Sequence, residues 1–309
     1  MSRIYEIFGT NAHAMTRALM ESAGAACKIP SGASVALKPN LVVAASPETG
    51  ATTHAGVLSG AIEYLRDHGF RDISIIEGSW VGDDTGRAFR AAGYEAVGKK
   101  YGVPLFDLKR DKTRRVDTPL RPMDICCRAL DADYLINLPV LKGHCQTAMT
   151  CALKNCKGCL PDREKRRFHA EGLMRPIAAL AAALRPELTI VDSLCGDLDF
   201  EEGGNPVPRA GCCWVRTPCS WTPTAAALWA WPWSRRPISR WPRPGGPAPP
   251  GWRREMWCAS TSPPRRRTTP PPPAPWPPSP APSRPEAPAR PATQAWCAPS
   301  TPAAYKAYP

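Results

Sequence analysis

The chain has 309 residues, a formal net charge of +13 and 38 prolines. These averages join two unlike parts. Residues 1–209 carry 27 Lys+Arg against 25 Asp+Glu, a net +2, and residues 210–309 carry 13 against 2, a net +11. The tail also holds 26 of the prolines and 10 of the 11 tryptophans. Charge therefore excludes polyanion binding as the task of the front part. The first thirty residues lack the apolar core of a signal peptide. No apolar run reaches the roughly 18 residues of a membrane span. A cytoplasmic protein is expected, its cysteines present as thiols or metal ligands and not as disulfides.

The front part reads as alternating strands and helices. Val35–Asn40 is an apolar strand ending in Lys38, Pro39 and Asn40. Val57, Leu58, Ala61, Ile62 and Leu65 recur at helical spacing, with Thr53 as a candidate cap and Gly69 as a stop. Ile73–Ile76 is a second strand, followed by the loop Glu77–Thr85. One helix is expected over Gly86–Lys100, a third strand over Val103–Leu108 and a fourth over Asp133–Leu138. A helix over Met174–Leu184 precedes a fifth strand, Leu188–Val191, which ends at Asp192. This order predicts an α/β fold, a mostly parallel sheet with flanking helices. Ligands of such sheets bind beyond the carboxyl ends of the strands. That rule selects Lys38, Asn40, Glu77, Asp83, Lys142, His144 and Asp192, although any one of them alone is better explained by a turn or helix cap.

The densest chemistry lies in residues 138–169, LPVLKGHCQTAMTCALKNCKGCLPDREKRRFH. Lys142, Lys154, His144 and His169 suit anion binding, proton transfer or metal ligation, with Asn155 as a further ligand-binding group. A short helix is expected over Thr147–Leu153, closed by Lys154-Asn155. The charged run Asp162–Arg167 reads as a solvated loop. The cysteines are spaced C-x5-C-x4-C-x2-C. Only Cys156 and Cys159 form the CxxC pair that a [4Fe-4S] cluster or another metal would use. Buried thiols acting as small apolar residues are the plainer account. Three functions are open at this point. The first is an enzyme or redox-associated protein holding a small anionic ligand, with an electron-transfer partner conceivable. The second is a metal- or cluster-binding accessory protein using Cys156 and Cys159. The third, ranked last, is nucleic-acid binding through the tail.

The motifs LPVLKGH, TCALKNCKGCLPD with Arg167 and His169, and LTIVDSLCGDLDFEEGGNPV closely resemble domain-of-unknown-function family 362, over about residues 30–208. KPNLV and ISIIEGSW agree with it. The resemblance implies a fold and a polar site without naming a reaction. Many members of that family carry a ferredoxin-type [4Fe-4S] segment, and this chain shows none. A thinner likeness, to nickel-pincer lactate racemases, rests on the succession His144, Lys154, His169. It would have Lys154 anchor a cofactor, His169 bind metal and His144 move a proton.

After Pro208 the composition changes abruptly. Such a Pro-rich tail is expected to be irregular or disordered, yet its wealth of Trp and Cys is foreign to disordered tails. A shifted reading of GC-rich DNA explains it. In a frame beginning at the third base of each visible codon, Trp214-Val215 forces Gly and Trp221-Thr222 forces Asp. A permitted reading of Cys212–Ala226 is then Leu-Leu-Gly-Ala-Asp-Pro-Val-Leu-Val-Asp-Ala-Tyr-Gly-Cys, similar to the segment that follows in the same family. The expectation is a frame slip near Pro208–Gly211 that leaves the sheet incomplete, with residues 210–309 out of frame.

Overall fold

Buried apolar residues alternate along Val35–Pro39: Val35 and Leu37 join one core cluster and Ala36 joins the other. A strand covered on both faces belongs in the middle of a parallel sheet. The computed structural model, which describes residues 4–208, 212–216 and 254–258, places it there. The described residues all fall in one unit, Met1–Ala259. A second unit, Ser260–Pro309, lies outside them.

In chain order the elements begin with strand β1 (Ile4–Phe8), helix α1 (Ala12–Ser22), β2 (Val35–Pro39), α2 (Ala55–Asp67) and β3 (Ile73–Glu77). Next come α3 (Thr85–Ala91), α4 (Tyr94–Tyr101), β4 (Leu105–Asp107) and a hairpin of β5 (Thr113–Val116) with β6 (Met123–Cys126). Then follow α5 (Cys127–Asp131), β7 (Tyr134–Leu138) and a second hairpin, β8 (Lys142–His144) with β9 (Ala148–Thr150). Helices α6 (Ala152–Asn155), α7 (Asp162–Glu171) and α8 (Met174–Leu184) lead to β10 (Leu188–Asp192). Short strands β11 (Cys195–Asp197) and β12 (Pro206–Pro208) pair with each other, and β13 (Cys212–Arg216) and β14 (Arg254–Cys258) complete the described part.

The main sheet runs β14-β1-β13-β10-β7-β2-β3-β4. Its five strands from β10 to β4 are parallel. Strand β13 is antiparallel to both β10 and β1. On one face α1, α2 and α4 bury Met15, Leu19, Leu58, Leu65 and Tyr94 against Ile75 and Ile136. On the other face Leu160, Phe168, Ile177 and Leu180 cover Ala36, Ile76 and Leu135. The predicted α/β class, a parallel sheet with flanking helices, is the observed one. Strands β3 and β4 extend the sheet to one side of β2, and β7 and β10 extend it to the other. The order reverses between β2 and β7, the kind of switch point beside which such sheets bind ligands at their carboxyl ends.

Several local expectations are corrected. The single helix over Gly86–Lys100 is two, α3 and α4, separated by Ala92 and by Gly93 with a left-handed φ of 77°. Thr147–Leu153 is no helix: Ala148–Thr150 pairs with β8, and helical structure begins only at Ala152. The supposed loop Asp162–Arg167 is the start of α7. Its acidic first turn, Asp162 and Glu164, favours a helix N-terminus. Of the tail expected to be irregular, 212–216 and 254–258 are strands, and the remainder lies outside the described residues.

Candidate functional site

The parallel register sets Lys38 beside Asn137 on neighbouring strands. Lys38 Nζ reaches Glu77 Oε2 at the end of β3, at 2.7 Å, and donates to the Pro39 carbonyl at 3.2 Å. Lys38 and Glu77 are 1% and 2% exposed. Burial opposes the Lys38 charge, but Glu77 outweighs it and raises the ammonium's pKa. The Gly158 backbone closes over this pair: a β-carbon there would stand 1.9 Å from Glu77 Oε1 and 2.8 Å from Lys38 Nζ. Beside it, Asn155 Nδ2 donates to Asn137 Oδ1 at 2.8 Å, and Asn137 Nδ2 donates to the Ala152 carbonyl at 2.9 Å. These amides fix the short helix α6 onto the sheet edge, since buried polar groups hold their partners tightly.

Helix α6 thereby presents Lys154, whose Nζ pairs with Glu201 Oε2. Glu201 arrives on a loop folded around Asp197, whose carboxylate accepts from the backbone N–H groups of Asp199, Phe200 and Asn205 at 2.6–2.8 Å. That loop lies close on β8 because residue 143 is glycine: a β-carbon there would meet the Leu198 carbonyl oxygen at 2.1 Å. His144 Nε2 is 3.2 Å from Glu201 Oε1. His144 Nδ1 accepts from the N–H of Gln146 at 3.0 Å and of Thr147 at 3.1 Å. With Nδ1 an acceptor, the proton sits on Nε2, which donates to Glu201. Burial and Lys154 lower the His144 pKa. Burial works against the Glu201 charge, yet Lys154, His144 and Lys142 hold it well below the usual carboxylate range. Lys142, wholly buried, donates to the carbonyls of Ala51 at 2.5 Å and Glu201 at 2.6 Å. Burial depresses its pKa to about 7.

Between these groups lies a cleft with an empty volume of about 520 Å³, measured out to its open mouth. Lys154, Lys157, Lys165 and His169 supply its basic lining, and Glu77 and Glu201 its acidic lining. Leu41, Val42, Trp80 and Val81 form its apolar wall. Lys165 donates to the carbonyls of Gly78 at 3.1 Å and Ser79 at 2.8 Å, tying α7 to the loop after β3. Lys157 Nζ lies 2.7 Å from His169 Nε2, and His169 Nδ1 is 3.3 Å from Gln146 Oε1. Burial, then Lys154, brings Lys157 down to about 7; burial, then Lys157, brings His169 down to about 4. Two residues of the cleft, Asn40 and Thr150, each bury a side-chain oxygen, Oδ1 and Oγ1, without a hydrogen-bond partner. The two residues are 8% and 2% exposed. Such orphans cost roughly 1–3 kcal/mol each unless something fills the site.

The residues singled out in the sequence thus divide. Asn40, Lys154, Asn155 and His169 line the cleft together. Lys38, Lys142 and His144 stand outside that lining and support it through Glu77 and Glu201. Asp192 is elsewhere: its carboxylate takes the His54 N–H and faces His54 Nδ1, both at 2.8 Å. Asp83 and Asp84 brace a turn, and Asp84 caps α3 by accepting from the Arg87 N–H at 2.7 Å. The cleft also takes Lys157, Lys165, Thr150 and Glu201, which the sequence reading passed over. For Lys165 a signal existed. With helix in place of loop, it shares a face with Phe168 and His169 at i+3 and i+4.

Cys156 and Cys159 do not fit a metal cluster. They pack with Cys126, Leu160 and Phe168 in the apolar layer under α7 and α8. Burial pushes the Cys156 thiol up to about 11 and Cys159 well above its ordinary value, as befits thiols in an apolar layer. Among the described residues no three His, Cys, Asp or Glu side chains converge as a metal site.

The fold and cleft define an α/β protein with a lysine-rich pocket at the carboxyl edge of a parallel sheet. The chain belongs to the family described as "Domain of unknown function (DUF362)", whose model matches residues 35–215. It is also similar to a thylakoid-associated protein of Synechocystis sp., with 26% identity over 208 residues. That alignment covers 63% of this chain, which spans 61% of the relative's length. Among the described residues no helix is long and apolar enough to cross a membrane.

Proposed function

We propose that the cleft binds a small, multiply charged anion and that the Lys157–His169 pair moves a proton on it. The observation that carries this reading is the meeting of three lysines, Lys154, Lys157 and Lys165, in a cleft whose residues Asn40 and Thr150 each keep a side-chain oxygen without a hydrogen-bond partner. Lysines supply charge to a carboxylate or phosphate as point donors. The Thr150 hydroxyl can donate to an anion's oxygen, and Asn40 Oδ1 calls for a donor on the ligand. The ligand would therefore carry a hydroxyl or amine beside its anionic group. His169, its pKa depressed, is unprotonated at neutral pH and can act as base. His144 is a positioning residue in this scheme, acting through Glu201 on Lys154.

Calorimetric titration with phosphate, pyrophosphate and hydroxycarboxylates tests the proposal. Binding is expected to weaken with salt and to fall at least tenfold in Lys165→Met, with far-ultraviolet circular dichroism confirming the fold. Absence of heat with every anion would overturn it. A cytoplasmic location is part of the same proposal. The name of the cyanobacterial relative makes fractionation against membranes the natural check.

A further inference from the structure

The geometry points to Lys157 as a covalent site: its amine condenses with the aldehyde or keto group of an anionic ligand held in the cleft. This inference rests on the anion-binding reading above.

The three lysines of the cleft are differently employed. Lys154 is paired with the Glu201 carboxylate. Lys165 gives hydrogens to two backbone carbonyls and lies 3.6 Å from Asp162. The Lys157 hydrogen bond goes instead to an imidazole. His169 Nδ1 faces the Gln146 carbonyl oxygen, which can only accept, so Nδ1 carries the proton. The lone pair of His169 Nε2 is thereby aimed at Lys157 Nζ, 2.7 Å away. An amine beside a neutral base and near another ammonium is how nucleophilic lysines are prepared. The depressed pKa of Lys157, about 7, agrees, because a large share of free amine is then present at neutral pH.

The step balances without any redox partner. The nitrogen lone pair attacks the carbonyl carbon, a C–N bond forms, and the C=O π pair moves to oxygen. His169 Nε2 takes a proton from nitrogen and returns it to that oxygen. The remaining N–H proton then passes to the hydroxyl, again by way of His169 Nε2, as the nitrogen pair forms the C=N bond and the C–O bond breaks, so that water leaves and a neutral imine remains. Lys154 and Lys165 would hold the anionic group. Thr150 lines the same cleft, and its hydroxyl, without a partner of its own, could turn to donate to the developing alkoxide.

Brief exposure of the full chain to pyridoxal 5′-phosphate, which joins an aldehyde to a phosphate, followed by borohydride reduction and peptide mass mapping, tests this. The expected result is preferential labelling of Lys157 over the surface residues Lys99 and Lys100. Labelling should rise with pH through about 7. Inorganic phosphate should protect, and unphosphorylated pyridoxal should label far less. His169→Leu should slow the reaction by about a hundredfold. Label spread evenly over surface lysines, or concentrated on Lys154 or Lys165, overturns the inference. If phosphate binds by calorimetry while the label scatters, the imine falls and the anion reading stands. If Lys157 is labelled selectively but phosphate neither binds nor protects, the anion reading falls and the reactive amine stands.

Discussion

A β-carbon on Gly158 would stand 1.9 Å from Glu77 Oε1, so the Lys38–Glu77 ion pair exists only because residue 158 has no side chain. The two charges are buried at the end of neighbouring strands. Gly158 lies in the short 3-10 turn Cys156–Cys159, which Cys156 and Cys159 anchor in the core. Gly158→Ala must therefore displace the Glu77 carboxylate, and it is expected to break the pairing with Lys38. Breaking a buried pair costs about 3–5 kcal/mol. Urea denaturation is expected to show a loss of that order, and anion affinity should fall with it. An unfolding midpoint within error of the parent's would refute this geometry.

Lys142 offers a pH test. Its ammonium is wholly buried, and its pKa falls from 10.5 to about 7. Between those values the unfolded chain binds more protons than the folded one, so this group's contribution to stability rises with pH across the window. Below pH 7 both states are protonated and the full cost of burying the charge applies. In Lys142→Met that slope disappears. The stability of the parent relative to the variant should climb from pH 7 toward pH 10, measured by denaturation at a series of pH values. A flat difference would mean that Lys142 stays charged throughout.

The strands were readable because each is a short apolar run between polar ends, and the five parallel ones lie close to where the pattern puts them. The site was half readable. Asn40, Lys154, Asn155 and His169 announced themselves as polar groups after strands or inside an unusual run, and they do meet. Asp192 obeyed the same rule and pairs with His54 instead, since position after a strand fixes a side chain's level and not its neighbour. Lys165 was hidden because an unbroken run of six charged residues, Asp162–Arg167, looks solvated. One face of that run is nonetheless turned inward by Phe168. Nothing in the local sequence distinguishes Thr150 from any other strand threonine; only its lack of a partner does.

The cysteines separate by burial. Cys27 and Cys145 are exposed, whereas Cys126, Cys156 and Cys159 are buried among apolar side chains. Burial raises the Cys126 and Cys156 thiols to about 12 and about 11. Iodoacetamide under native conditions should modify Cys27 and Cys145 quickly and leave the other three until the protein is unfolded. Peptide mapping reads this directly. Cys156→Ser with Cys159→Ser should leave the metal content of anaerobically purified protein unchanged. It should cost roughly 1–3 kcal/mol for each buried hydroxyl without a partner. Metal lost with the pair would restore the cluster hypothesis.

The tail carries the last prediction. Strand β13 fills the gap between β1 and β10, pairing Phe8 with Cys212 and Val191 with Trp214. Backbone ladders are blind to side chains, so five extended residues from either reading frame can occupy that gap. What an out-of-frame segment cannot supply is a side-chain pattern matched to the sheet. The family match stops at residue 215, within a few residues of the expected slip at Pro208–Gly211. We therefore expect sequencing across those codons to reveal a one-base insertion or deletion. Restoring the frame should yield a protein that unfolds at higher urea, since the strand beside β10 would then carry side chains matched to the sheet. An uninterrupted frame in the gene, together with slow hydrogen exchange across residues 210–309, would show instead that this basic, tryptophan-rich segment is native.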